Sequence, residues 1–351
     1  MTDSGDLLPV SVITGFLGSG KTTLLNRLLR HPGMASTAVV VNEFGEIGID
    51  NALVESVDDN VVLMSSGCLC CTIRGDLIDT LKDLYKRRAK LEVPDFTRLV
   101  VETTGLADPA PILHTLMADP FLIGRYRLDG VIATVDGVAG GSTLDKQFES
   151  VKQAAVADRL VVTKTDLADD AAIGGLEGRL RDLNPAAALY RAAHGEIDPD
   201  LLFNAGLYDP ESKSLDVRRW LREEAYAAAE GGEHHHHHDV NRHDEAIQAF
   251  CVYLDERLPW DRVATWLELL TTYRGDDVLR IKGVLNVEES ETPIVVHGVQ
   301  HMFHPPVQLD AWPDDDRRSR IVFITRDLTR DIVESMLNAL TERSESVDHA
   351  R

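Results

Sequence analysis

Gly15-Phe16-Leu17-Gly18-Ser19-Gly20-Lys21-Thr22 decides the fold, because it matches GxxxxGK[ST], a loop that works only between a strand and a helix. The neighbours supply that setting. Leu8 to Thr14 is an apolar, β-branched run, and Leu24, Leu25, Leu28 and Leu29 recur at the spacing of one helical face. Side-chain-free positions let backbone N–H groups close around phosphate oxygens, and the following helix turns its positive end to the same anion. Gly15, Gly18, Ser19, Gly20 and Thr23 belong to this cradle, with Lys21 expected on the β- and γ-phosphates and Thr22 on magnesium.

Working outward, Thr37 to Val41, Val61 to Met64, Arg98 to Val101, Val131 to Val135 and Arg159 to Thr163 read as buried strands. Helical stretches such as Asp76 to Lys90 separate them. This alternation predicts an α/β P-loop NTPase domain with a mainly parallel sheet. A further helical stretch, Leu215 to Ala229, leads into Gly231-Gly232-Glu233, the run His234 to His238 and a polar segment, where the composition shift marks a linker. Beyond it come a strand (Ala246 to Leu254), a helix (Pro259 to Thr272), strands near Val278 to Val287, Ile294 to Phe303 and Arg320 to Thr325, and a helix from Leu328. The expected division is the P-loop domain over 1–230, a His-rich linker over 231–245 and a smaller α+β domain over 246–351. Two domains also suit 351 residues, since single cores stop growing near roughly 250–300.

The net charge of −22 repels phosphate backbones and anionic lipid, which argues against nucleic acid and membrane surfaces as partners. The chain begins without a basic, apolar signal sequence, and no stretch approaches the ~20 apolar residues of a membrane span. Three of the four cysteines crowd into Cys68-Leu69-Cys70-Cys71, so a disulfide framework is implausible and a reducing, cytoplasmic setting is expected.

Specificity for the base is read from Thr163-Lys164-Thr165-Asp166. Guanine has two adjacent N–H donors that one carboxylate can accept together, and adenine has none to offer in that place. Asp166 is assigned that task, and Lys164 packs its stem along the base plane. Thr163 stands where many GTPases have asparagine, which is expected to weaken a local hydrogen bond without touching the base contact. In Val100-Val101-Glu102-Thr103-Thr104-Gly105, an apolar strand ends in an acid and then a glycine: Glu102 is placed near the magnesium, and the Gly105 N–H is expected to sense the γ-phosphate. Glu43, in Asn42-Glu43-Phe44-Gly45-Glu46, is a candidate for magnesium, a second metal or the attacking water.

Thiolates favour Zn²⁺, Cu⁺ and, less strongly, Co²⁺. On an extended backbone Cys68 and Cys70 face one side and Cys71 the other, so one cation receives all three only if the chain turns. No second cysteine pair exists, which predicts an open site completed by Glu43, a histidine or water and suited to transfer. His234, His235, His236, His237 and His238 read as a metal-capturing loop, with a passive polar linker as the competing reading. His297, His301 and His304, followed by Pro305-Pro306, are expected on strand and loop as separate histidines, and His114 on a helix is a weak ligand candidate.

The ordered set GFLGSGKTT (15–23), VNEFGE (41–46), GCLCC (67–71), ETTGLADP (102–109) and TKTD (163–166) resembles the CobW-type metallochaperone GTPases, relatives of the HypB and UreG nucleotide-binding proteins. The resemblance implies a GTPase that loads or delivers a metal such as zinc or cobalt, with Cys68, Cys70 and Cys71 binding it near the nucleotide. It implies GTP, Mg²⁺ and Zn²⁺ or Co²⁺ as ligands and a metal-receiving client as partner, with a homodimer left open. Slow hydrolysis is expected, since neither an arginine finger nor a Ras-like glutamine is identifiable. Two rivals stand beside this reading: a zinc buffer or sensor that nucleotide merely stabilises, and a regulatory GTPase with structural thiols.

Overall fold

The computed structural model describes residues 7–42, 62–66, 73–203 and 247–348, with backbone alone for 42, 62–66, 73–76 and 340–348. These residues fall into two compact units, divided between 203 and 247.

The first unit alternates strand and helix. β1 (Leu8–Gly15) leads through the glycine loop into α1 (Lys21–Leu29), followed by β2 (Thr37–Asn42), β3 (Val62–Ser66), α2 (Ile73–Ala89) and β4 (Arg98–Thr103). Then come α3 (Ala110–Ala118), α4 (Pro120–Ile123), β5 (Tyr126–Asp136), α5 (Gly140–Lys146), α6 (Phe148–Val156), β6 (Arg159–Thr163), α7 (Asp170–Leu183) and β7 (Ala188–Arg191). The sheet runs β3-β2-β4-β1-β5-β6-β7, and every described pairing is parallel. Runs such as Leu99–Val101 and Leu160–Val162 are buried throughout, which requires cover on both faces and hence helical crossovers. The helix α1 supplies part of that cover: Leu24, Leu25, Leu28 and Leu29 pack with Ile13, Val39, Val100 and Ile132. Because β1 lies between β4 and β5, the chain's winding reverses there, and the crevice beyond the strand ends opens at that point.

Two elements depart from what local pattern predicts. The helix α7 carries Gly174, Gly175 and Gly178, poor helix formers, yet it buries Ile173, Leu176, Leu180 and Leu183 along one face and is capped by Asp169 accepting the Ala172 N–H at 2.8 Å. The edge strand β7 is half-exposed, and its alanine-rich approach and lack of β-branched residues do not mark a strand, so its pairing with β6 is what makes it one.

The second unit contains β8 (Ile247–Leu254), α8 (Trp260–Arg274), β9 (Val278–Leu285), β10 (Ile294–Val299), β11 (Met302–Phe303), β12 (Val307–Gln308), β13 (Ser319–Arg326) and α9 (Arg330–Asp348). Its antiparallel sheet runs β11-β10-β9-β13-β8, with β12 pairing to β10. The stretch expected as one strand from Ile294 to Phe303 is instead a hairpin: Gln300 adopts φ 51°, and Val299 faces Met302 across the turn. Nothing in Val299-Gln300-His301-Met302 carries the glycine or Asn-Gly signal that normally betrays such a turn. Phe250 and Phe323 stack at 5.4 Å, and fully buried Trp266 meets Phe323 edge-on at 6.0 Å.

Candidate nucleotide site

At the carboxyl ends of β1 and β4 lies a cleft of about 380 Å³, lined by Gly18, Lys21, Thr22, Glu102, Gly105 and Lys164 among others. Gly20 takes the N-cap position of α1 at φ 87°, a left-handed conformation that costs glycine least, and no side chain caps the helix. The first amides of α1 are therefore directed at the cleft as an anion site. Lys21 is buried, its Nζ donating to the Gly15 carbonyl at 2.7 Å and to that of Phe16 at 3.2 Å.

Thr22 and Glu102 meet. The Thr22 hydroxyl donates to Glu102 Oε1 at 2.8 Å, although eighty residues separate them in sequence, and the carboxylate is only 5% exposed. A hydroxyl beside a desolvated carboxylate is a hard oxygen pair, which fits magnesium and does not suit a thiophilic metal. Gly105 comes closer still to the loop: a Cβ there would stand 2.7 Å from the Leu17 backbone nitrogen, so the glycine after β4 and the phosphate loop lie against one another without room for a side chain.

A row of hydroxyls ties the loops to the sheet just beneath the cleft. Thr163 Oγ1 donates to the Ser19 carbonyl at 2.7 Å, the Ser19 and Thr134 hydroxyls share a bond of 2.6 Å, Thr134 reaches the Thr14 carbonyl at 3.3 Å, and Thr103 Oγ1 donates to Thr14 Oγ1 at 2.9 Å. All of these are buried. Threonine at 163 thus makes a short local hydrogen bond of its own, because the hydroxyl on β6 faces the loop carbonyl directly.

On the base side, Lys164 adopts φ 53° and donates to Asp136 Oδ2 at 2.6 Å, while Asp136 Oδ1 accepts the amides of Val138 and Ala139 at 2.8 and 3.0 Å. Burial opposes the charge on Asp136, but Lys164 and those amides outweigh it and hold the carboxyl below its ordinary range. Asp166 accepts the backbone N–H of His194 at 3.0 Å, which holds its pKa below the ordinary carboxylate value, and its second oxygen lies 3.1 Å from His194 Nδ1. Each carboxylate oxygen keeps a further lone pair for an incoming donor. Asp136, Thr134 and His194 are the residues that motif reading missed. The only sequence signal is position: each lies at or just beyond the end of a strand of this sheet.

Other assigned residues stand apart or outside. Glu43, Cys68, Cys70, Cys71 and His234 to His238 lie outside the described residues. Thr23 lines the cleft beside Thr22. His114 is buried on α3. His297 lies on β10, His301 bonds the Thr271 carbonyl and Asp276, and His304 bonds Pro305; among the described residues no group of three His, Cys, Asp or Glu is arranged to hold a metal. No described helix is long and apolar enough to cross a membrane.

Residues 9–191 match the family model for the CobW/HypB/UreG nucleotide-binding domain. The chain belongs to this family. Residues 247–341 match the model for the C-terminal domain of the cobalamin synthesis protein CobW, so the resemblance to CobW reaches the second unit. Among curated relatives, the zinc chaperone YjiA of Escherichia coli K12 is 33% identical over 317 residues, covering 90% of this chain and 93% of that protein. The zinc chaperone CobW of Pseudomonas aeruginosa is 28% identical, covering 94% and 90% respectively. The crystal structure of Zn(II)-bound YjiA GTPase from E. coli superposes with a TM-score of 0.68 at 29% identity, over 95% of this chain and 99% of that one.

Proposed function

We propose that this GTPase is a metallochaperone: it binds GTP in the cleft between β1 and β4, holds a transition metal, zinc first, through Cys68, Cys70 and Cys71 with Glu43, and hands that metal to a client protein. The reading rests on one observation above the others, the 2.8 Å meeting of the Thr22 hydroxyl with the buried Glu102 carboxylate at the floor of a glycine-loop cleft. Its metal speciality is supported by the relatives, two of which are named zinc chaperones; nothing comparable favours cobalt.

In this reading the α1 amides and Lys21 hold the β- and γ-phosphates, and Thr22 with Glu102 would hold magnesium, which supplies neutralisation of charge between those phosphates. Asp166 accepts the two guanine donors, Lys164 lies under the base, and Gly105 offers its N–H to the γ-phosphate. Gly105 and Leu17 are in near contact, so a shift at the terminal phosphate is transmitted between the two loops. Glu43 and the cysteine segment then follow the nucleotide state, binding metal with GTP and releasing it after hydrolysis. His234 to His238 would gather metal for that site. A cytoplasmic protein, acting alone or as a homodimer, completes the reading.

Coupling of this kind is reciprocal in binding free energy. Zn²⁺ titrated calorimetrically into the protein should bind at least several-fold tighter with a GTP analogue than with GDP; equal affinities reject the chaperone cycle. Cys70→Ala should abolish the difference and leave GTP binding intact. A buffer would keep its metal capacity and cellular effect in Lys21→Ala, whereas the GTP-driven carrier loses its effect.

A further inference from the structure

The mechanism above makes no use of a buried glutamine on α6. Gln153 is 1% exposed, and its side-chain amide donates to two carbonyls of the segment after β4, Gly105 at 3.3 Å and Ala107 at 3.0 Å. Both contacts are carbonyl oxygens, so the NH₂ end must face them. Its Oε1 is left buried with no hydrogen-bond partner, an arrangement that proteins rarely keep without a reason.

The segment it grips is short and is anchored at both sides of Leu106. The Ala107 N–H closes a turn onto the Thr104 carbonyl at 3.1 Å, and Gln153 bonds the carbonyls on both sides of exposed Leu106. Next along the same helix, Lys152 pairs with Asp108 at 2.8 Å, and Asp108 in turn accepts the Ala110 N–H at 2.9 Å where α3 begins. The other end of α6 is pinned by Asn184, whose amide nitrogen donates to the carbonyls of Ala154, Ala155 and Ala157 at 2.9, 3.1 and 2.9 Å. A fixed helix thus holds a loop whose glycine is the residue freest to rotate.

We propose that Gln153 is a positioning residue for the terminal phosphate: by holding the carbonyls of Gly105 and Ala107 it sets the orientation of Gly105 against Leu17, and so sets how strongly the protein distinguishes GTP from GDP. This rests on the reading that Gly105 meets the γ-phosphate. Gln153 touches no nucleotide atom in this account; it acts through the glycine.

The test measures binding of a non-hydrolysable GTP analogue and of GDP to the full chain. Gln153→Met keeps length and volume and removes both donors. It should weaken the analogue on the order of tenfold and lower kcat similarly, while GDP affinity changes less than about twofold, because GDP has no γ-phosphate for the loop to meet. Gln153→Glu should show the same lost ratio and recover part of it as pH falls towards about 6, where a buried, protonated carboxyl regains one donor. Equal weakening of both nucleotides, or a lowered melting temperature with the ratio intact, would assign Gln153 to packing and overturn the proposal. Should Gln153→Met fail to fold, the ratio and pH response of Gln153→Glu decide. Gly105→Ala separates the two levels: if it leaves the ratio unchanged, the γ-phosphate reading of that glycine fails. If it collapses the ratio and the Gln153 variants do not, only the present inference fails.

Discussion

Asp166 illustrates what a single side chain must satisfy here. Its carboxylate can accept both guanine donors only while ionised, and the His194 N–H lowers its proton affinity. A depressed carboxyl is fully charged above its ordinary value near about 3.9 and loses its charge only as pH falls through the lower, folded value. GTP affinity should therefore be flat between about pH 6 and 8 as far as this group is concerned, a profile that equilibrium dialysis can check. Asp166→Asn replaces one acceptor by a donor. GTP binding should drop by at least about a hundredfold, and xanthosine triphosphate, whose 2-oxo group accepts where guanine donates, should bind the variant better than GTP does. Most residues at this scale were legible because the phosphate loop and TKTD are contiguous strings of constrained spacing. Thr134 and Asp136 were not, since their roles come from partners brought together by parallel strand pairing, which leaves no local mark.

Among the elements, strand ends carry the site and helices set its tension. Thr163→Val preserves shape on β6 but removes the donor to the Ser19 carbonyl, leaving a buried acceptor unmatched at a cost of about 1–3 kcal/mol. The melting temperature should fall accordingly and the KM for GTP rise, since Ser19 belongs to the phosphate loop. The opposite sign is expected on α7. A methyl at Gly175 meets nothing within 4 Å, and the residue lies inside a helix, so Gly175→Ala should stabilise the protein by about 0.5–1 kcal/mol in urea unfolding. The central strands were readable from sequence as uninterrupted apolar runs, and α1 from its leucine spacing. The edge strand β7 was not, being short, half-exposed and free of β-branched residues, and the β10–β11 hairpin was hidden because a glutamine occupies its left-handed position.

Across the whole chain, the described residues hold two separate cores, one around the parallel sheet and one around Trp266. Trp266→Ala should cost its unit about 3–5 kcal/mol while GDP affinity stays within twofold of the original, measured by urea unfolding alongside fluorescent-nucleotide titration. A joint loss of stability and nucleotide binding would mean that the first unit depends on the second. The α/β-then-α+β plan was legible because strands separated one by one by helices give way, after the composition break, to a helix followed by three strand-like runs with no helix between them.

The threonines and serine beneath the cleft carry one more consequence. Each sits at a strand end or loop where valine or alanine would match its bulk, and an engineer choosing replacements by size alone would treat all five as interchangeable. They instead link four adjacent strands to the phosphate-gripping turn, through side-chain pairs (Ser19 with Thr134, Thr103 with Thr14) and through the Ser19 and Thr14 carbonyls, so double replacements within a side-chain pair should fail to add, whereas Thr163 combined with Ser19, joined only by a carbonyl, should come close to adding.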